Sequence, residues 1–149
     1  MKRQIDCVQE WCDATEIDTS KTPRLIDYER TMLRYKLMKE ENEEYLEAAS
    51  KNDPVEIADA LGDMLYILLG TAIEHGMQDY LADVFEEIHS SNMSKMDENG
   101  KPIRREDGKI LKGPNYHRPN LQPILYGNNE KKREYPDSRL EGKGEERGY

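Results

Sequence analysis

Six carboxylates raise the first chemical question in this chain: Glu40, Glu41 and Glu44 in "KEENEEYLEA", and Glu56, Asp59 and Asp63 in "PVEIADALGDMLYILL". At about 100° per residue, Leu33, Leu37, Glu40, Glu41, Glu44 and Ala48 share a helical arc of roughly 100°. The same geometry puts Glu56, Asp59 and Asp63 within roughly 60° of one another on the next helix. Glu43 and Glu47 fall outside the first arc and face solvent, so the acid run divides by direction. Carboxylates crowded inside a bundle must be protonated, paired with bases, or gathered around a cation, because burying an unpaired charge is costly. The two helices offer few basic residues at inward positions. A divalent cation is then the economical solution, and oxygen-only ligands suit Mg²⁺ or Mn²⁺ better than zinc. The plainer alternative is an acidic rim reaching out to water.

The elements that must position these acids follow from local signals. A short amphipathic helix is predicted over residues 5–14, followed by a loop rich in Thr, Ser and Pro. Asp27 suits the N-cap of a long helix to about Lys51, where "NDP" stops it. Pro54 suits the first turn of a third helix ending near His75, with Gly76 as the C-terminal cap. Ile57, Leu61, Met64, Leu65, Leu68 and Ala72 share one face of that helix. It is apolar nearly all round from Met64 to Leu69, which predicts a central position. A fourth helix is predicted over residues 79–90. Beyond it, "KPIRREDGKIL" predicts a small hairpin around Asp107-Gly108, with Arg104 and Arg105 exposed. The fold class is therefore all-α: an antiparallel bundle of four to five helices with a C-terminal extended or hairpin segment, assembled as an oligomer. Residues 1–121 form the domain, with core motifs in 34–95 and a basic segment over 92–118. Residues 122–149 read as a polar tail, disordered or ordered only in an oligomer.

Charged residues make up 36 % of the 149, as many as hydrophobic ones, which predicts a small core. The net charge of −9 is uneven. Residues 1–91 carry 9 Lys and Arg against 21 Asp and Glu, whereas residues 92–118 carry 7 against 4. Overall acidity argues against general nucleic-acid binding. No apolar run approaches a membrane span, and the first residues lack the apolar stretch of a secretory signal, so a cytoplasmic location is expected. Cys7 and Cys12 have neither redox-motif nor zinc-knuckle spacing and read as two reduced thiols.

At the acid stretches the sequence resembles the all-α NTP pyrophosphohydrolases, the superfamily of MazG-like and dimeric dUTPase-like enzymes. The Glu-Glu-x-x-Glu half of their signature stands intact as Glu40-Glu41-Asn42-Glu43-Glu44. The second half departs from the pattern. In the register where Asp63 matches the family's Asp, a Glu is usual three residues earlier, and this chain has Ala60 there. Asp59, one turn before Asp63, can take its place, with Glu56 as a third candidate. The later "SNMSK" and "LKGPNY" stretches resemble one branch of the superfamily, and the likeness covers roughly residues 24–121.

The resemblance implies hydrolysis of a nucleoside triphosphate, with a tilt toward deoxynucleotides, between the α- and β-phosphates. It gives a monophosphate and pyrophosphate with Mg²⁺ as cofactor and Mn²⁺ as a possible substitute. Glu41, Glu44, Asp59 and Asp63 are then the metal ligands, with Glu56 the lesser choice. Glu40 is the general base that orients water, or a partner of metal-bound water. Asn92, Lys95, Lys112 and Tyr116 are the substrate-binding candidates. A homodimer or homotetramer is implied, without membrane or nucleic-acid partners. Two other classes compete. A ferritin-like di-metal bundle has one Glu-x-x-His, Glu86 to His89, where such a site wants two; His89 reads instead as a packing or hydrogen-bonding residue. A non-catalytic helical interaction module sits poorly with an intact acid motif.

Overall fold

The computed structural model describes residues 1–127. It contains five helices: α1 (Lys2–Ala14), α2 (Tyr28–Ser50), α3 (Pro54–Glu74), α4 (Leu81–Met93) and α5 (Gln122–Tyr126). The β-structure among the described residues is one antiparallel bridge, Arg104 to Ile110, so the chain is all-α as expected. Much of the expected tail, residues 128–149, lies outside the described residues. Its beginning is not irregular: Pro123 opens a helical turn, and Ile124, Leu125 and Tyr126 give that turn half-buried apolar side chains.

The helix ends form where the sequence places their caps. The Asp27 carboxylate accepts the Arg30 amide at 2.7 Å and starts α2. The Asp53 carboxylate accepts the amides of Val55 and Glu56 at 3.0 and 3.2 Å and starts α3, with Pro54 in its first turn. Between them the chain reverses tightly: Asn52 takes a left-handed φ of 56°, and the Asp53 amide returns to Ala48 O at 3.1 Å. Asn tolerates that conformation better than most side chains. At the far end of α3 the Met77 amide reaches Ala72 O and the Gly76 amide reaches Ile73 O, a Schellman closure. Gly76 has φ 69°, and a Cβ there would lie 2.1 Å from Thr22 O. Only glycine lets the 15–27 loop cross so close. α4 begins at Leu81 rather than residue 79, because the Tyr80 amide bonds to Met77 O and holds residues 79–80 in a turn.

α3 is central and packs against both α1 and α2. Its C-terminal half carries the core: Leu69 and Ile73 meet Val8 and Cys12 of α1, with Ile5, Ile17 and Leu81 packed around them. Cys7 is exposed and Cys12 buried; both are free, and burial pushes the Cys12 thiol up from its ordinary value.

The expected core stripe of α3 is only partly realised. Ala72 is buried, but Leu61, Leu65 and Leu68 keep about half their surface open (51, 44 and 50 %). The buried line of α2 is also rotated, by roughly 40° from the predicted arc. It runs through Arg34 and Ala48, with Arg30, Leu37 and Glu41 partly covered, while Leu33, Glu40 and Glu44 are exposed. Two inward arginines cause the rotation, contrary to the expectation of few inward bases.

Candidate functional site

The α2–α3 hairpin brings the predicted acids together. Arg34 of α2 lies against Gly70 of α3. Stepping seven residues toward the turn on α2 and seven back on α3 brings Glu41 opposite Asp63. The electrostatics agree with this register. Burial, and then the neighbouring charges of Glu44, Asp63, Glu40 and Asp59, push the Glu41 carboxyl above the ordinary glutamate range. Glu41 Oε2 is covered from solvent and has no hydrogen-bond partner. Five of the predicted acids thus converge on one seam, with Glu41 at its most enclosed point. Glu40, Glu44, Asp59 and Asp63 remain exposed around it.

Glu56 stands apart. It lies in the first turn of α3, where its charge acts on Lys51, and it is not among the groups that raise Glu41. Glu43 pairs with Lys39 at 3.3 Å on the open surface of α2, and Glu47 pairs with Lys51. Both face outward as their spacing indicates. Among the described residues no three His, Cys, Asp or Glu side chains stand close enough together to hold a metal ion as they are placed. The donor set nonetheless fits a hard cation: carboxylate oxygens only, one of them covered and unpartnered.

The basic segment forms a compact element of its own at the end of α4. Lys95 Nζ donates to Asn92 Oδ1 at 2.7 Å, and the Gly113 amide donates to Lys95 O at 2.9 Å. Lys112 lies over the Tyr116 ring, 4.5 Å from its centroid. Ser91 Oγ donates to His117 O at 2.8 Å, and the His117 amide donates to Ser94 Oγ at 3.1 Å. The Asn120 amide donates to Glu87 Oε1 at 2.7 Å, tying the segment back along α4. Asn92, Lys95, Lys112 and Tyr116 are therefore gathered on one element. Asn92 sits in the last turn of α4 and serves Lys95 rather than capping the helix. Among the described residues no hydrogen bond or ion pair joins this element to the acid seam. Arg104 and Arg105 are exposed on the hairpin, as expected, with Arg105 paired to Asp107.

The histidines lie elsewhere. His75 Nδ1 is 2.9 Å from Arg24 O at the end of α3. Glu86 and His89 are both exposed on α4, so His89 is a surface residue and not the packing residue expected.

Two features escaped the sequence reading. The first is Glu74, 1 % exposed, with Arg30 and Arg34 gathered around it. The i, i+4 spacing of the two arginines, set against an acid at the far end of an antiparallel partner, is the signal that could have found it. The second is a cavity of about 150 Å³ floored by Val8, Cys12, Arg34 and Gly70 and walled by Trp11, Leu37 and Tyr66. Leu37 is one turn from Glu41, and Tyr66 is one turn from Asp63. A larger hollow, about 460 Å³, lies at the opposite end around Arg24, Arg30 and Glu74, away from the acids.

Residues 12–92 match the model of the phosphoribosyl-ATP pyrophosphohydrolase family. The chain belongs to that family. The matched stretch spans both acid-bearing helices and nearly all of α4. The phosphoribosyl-ATP pyrophosphohydrolase family is part of the all-α NTP pyrophosphohydrolase, MazG-like superfamily, which the acid motif resembles. Membership makes the class of activity pyrophosphohydrolysis of a nucleotide, a hydrolysis of a phosphoanhydride bond. Lys95, Lys112 and Tyr116 lie beyond the matched stretch. No curated protein matches the chain. Among the described residues no helix is long and apolar enough to cross a membrane.

Proposed function

We propose that this chain hydrolyses a nucleoside triphosphate, with a preference for deoxynucleotides, between the α- and β-phosphates, releasing a nucleoside monophosphate and pyrophosphate. The observation that carries this reading is the Glu41 environment: a covered carboxylate oxygen without a partner, facing Glu44, Asp63, Glu40 and Asp59. Glu41, Glu44, Asp59 and Asp63 would hold Mg²⁺, or Mn²⁺ in its place. Bound there, the ion supplies the positive charge that lets an anionic polyphosphate approach five carboxylates, and it makes water more acidic. Glu40 stands on the exposed edge of the same seam, where it takes a proton from the attacking water. The water oxygen bonds to the α-phosphorus as the bond from that phosphorus to the bridging oxygen breaks, and pyrophosphate carries away the electron pair.

The chain's own residues also provide for the rest of the substrate. The Trp11–Leu37–Tyr66 cavity is about the size of a nucleobase and offers aromatic walls. One helical turn, about 5 Å, separates it from the acids, which suits the reach from a base to its α-phosphate. Lys95 and Lys112 would neutralise the outer phosphates, while Asn92 and Tyr116 hydrogen-bond phosphate or sugar. Exposed Leu61, Leu65 and Leu68 on α3, with Phe85 and Ile88 on α4, leave apolar surface that a second copy would cover, which supports a homodimer or homotetramer; the same proposal places the protein in the cytoplasm. The family's name offers a second reading, phosphoribosyl-ATP as substrate, whose cleavage the same acid seam would serve.

The test is a panel of NTPs, dNTPs and phosphoribosyl-ATP with Mg²⁺ or Mn²⁺, scored for monophosphate product and pyrophosphate. Turnover of a triphosphate into those products is expected. Turnover of phosphoribosyl-ATP alone would replace the substrate reading, and no turnover of any member would end the catalytic one. A monomeric mass at micromolar concentration would remove the oligomer.

A further inference from the structure

We propose that Arg30, Arg34 and Glu74 are positioning residues: a charge lock that pins the open end of the α2–α3 hairpin and so holds Glu41 against Asp63. This rests on the acids being a cation site, and the test below separates the two.

The hairpin has two pins, and the acids lie between them. One pin is the turn, where Asp53 caps α3 and returns its amide to Ala48 O. The other is the Glu74 cluster. Both Glu74 oxygens are used: Arg30 Nη2 donates to Oε1 at 2.8 Å, Arg30 Nε donates to Oε2, and Arg34 Nη1 stands 3.4 Å from Oε1. Arg34 spends its remaining donors on α3, with Nε donating to Thr71 Oγ1 at 2.9 Å and Nη2 to Ile67 O at 2.6 Å. Gly70 leaves the space this requires, since a Cβ there would come within 3.1 Å of Arg34 Nη2.

These contacts fix position in a way the rest of the seam does not. Between the turn and the Arg34–Ile67 contact the buried side chains of α2 and α3 are Ala48 and Ala60, small surfaces that resist neither sliding nor splaying, while the larger Leu69 and Ile73 lie at the locked end and pack on α1. Five carboxylates on the same stretch push the helices apart. A fork of directional hydrogen bonds from one helix to three residues of the other opposes both motions. The lock is about 10 Å, or seven residues, from Glu41. It touches no acid of the seam and reaches those acids only through the helix backbones; Arg34 also floors the Trp11–Leu37–Tyr66 cavity, so Mn²⁺ affinity without nucleotide is the relevant readout.

Burial of an ion cluster is weak support for stability, and apolar replacements of such clusters are often as stable or more so. That supplies the experiment. The triple variant Arg30→Met, Arg34→Met, Glu74→Met replaces the fork with apolar packing that lacks direction. Mn²⁺ binding is measured without nucleotide by electron paramagnetic resonance. The distance across the open end is read from spin labels at Tyr28→Cys and Asp79→Cys in a Cys7→Ser background. The expected result is a folded protein, melting at or above wild type, whose Mn²⁺ dissociation constant rises about 10- to 100-fold, the scale seen when ligands lose their supporting contacts. The label distances should broaden. A folded triple variant with wild-type Mn²⁺ affinity and a wild-type label distribution overturns the lock. Should the triple variant not fold, Glu74→Gln and Arg34→Lys carry the same two measurements, and Arg34→Lys, which keeps the charge but loses the fork, should fall between wild type and Glu74→Gln. Wild type that binds no Mn²⁺ removes the cation reading instead, and the label distances alone then decide the lock.

Discussion

Glu74 and Glu41 are both glutamates on the seam between α2 and α3, and their surroundings are opposite. Glu74 is sealed from water with two arginines on its oxygens. Glu41 is partly covered, has one oxygen with no partner, and faces four other carboxylates. One end of the hairpin satisfies its charge within the chain, and the other leaves a covered carboxylate oxygen without a partner. A protein can afford the second arrangement where something positive arrives during function.

Removing the unsatisfied charge should have the largest effect. Glu41→Gln keeps the shape but withdraws the most enclosed carboxylate, so kcat/KM should fall at least about a thousandfold, equivalent to several kcal/mol of lost transition-state stabilisation. Helix content by circular dichroism should stay at wild type, because the change also relieves repulsion. A variant with wild-type turnover would show that Glu41 is not at the centre. At the other end the same change acts on folding. Glu74→Gln leaves two largely covered guanidinium groups without their anion and should cost about 3 kcal/mol of stability in denaturant titration. An unaltered midpoint would mean that the buried cluster is energetically idle.

The two ends were also unequally legible in the sequence. Acids on a helical stripe contradict the expected pattern, so their spacing alone marked the candidate acid seam, and signals such as Asp27, Pro54 and Gly76 marked the helices. The Glu74 cluster was hidden because arginines at an inward position look like ordinary helix-surface residues until the partner helix is in register. The exact inward face of α2 was lost for the same reason: Arg30 and Arg34 rotate the stripe away from Leu33, which no count of apolar residues reveals. The exposure of Leu61, Leu65 and Leu68 was illegible too, because periodicity reports an apolar face without saying which surface covers it.

The departure at Ala60 sharpens the comparison within the acid end. Asp59 acts on Glu41, whereas Glu56 acts on Lys51. Asp59→Asn should therefore raise the half-saturating Mg²⁺ concentration about 10- to 100-fold, and Glu56→Gln should leave it within about threefold. The reverse order would move the fourth ligand to Glu56.

A pH titration tests the imbalance without mutation. Glu41 holds its proton more tightly folded than unfolded, so the folded state binds more protons between the ordinary glutamate value and the raised one. Stability of the cation-free protein should therefore fall as pH rises through that window, then level off once Glu41 is ionised. Mg²⁺ should restore what is lost and have little effect below the window, where its ligand is protonated. Melting curves across the carboxylate range, with EDTA or with Mg²⁺, read this directly. Curves that superimpose at every pH would deny any cation a place on the seam.

The smallest effect should come from Glu43, which lies in the same four-glutamate run but on the other side of α2. It pairs with Lys39 on open surface, where water and salt screen the pair and its loss is worth little. Glu43→Gln should change kcat/KM by less than about twofold, as expected for a surface substitution away from any special contact. Its neighbours Glu41 and Glu44 differ from it in direction, not in chemistry. If Glu43→Gln instead impaired turnover as Glu41→Gln does, the acidity of the run as a whole would be the active feature. The register that sets Glu41 against Asp63 would then have no claim on the chemistry.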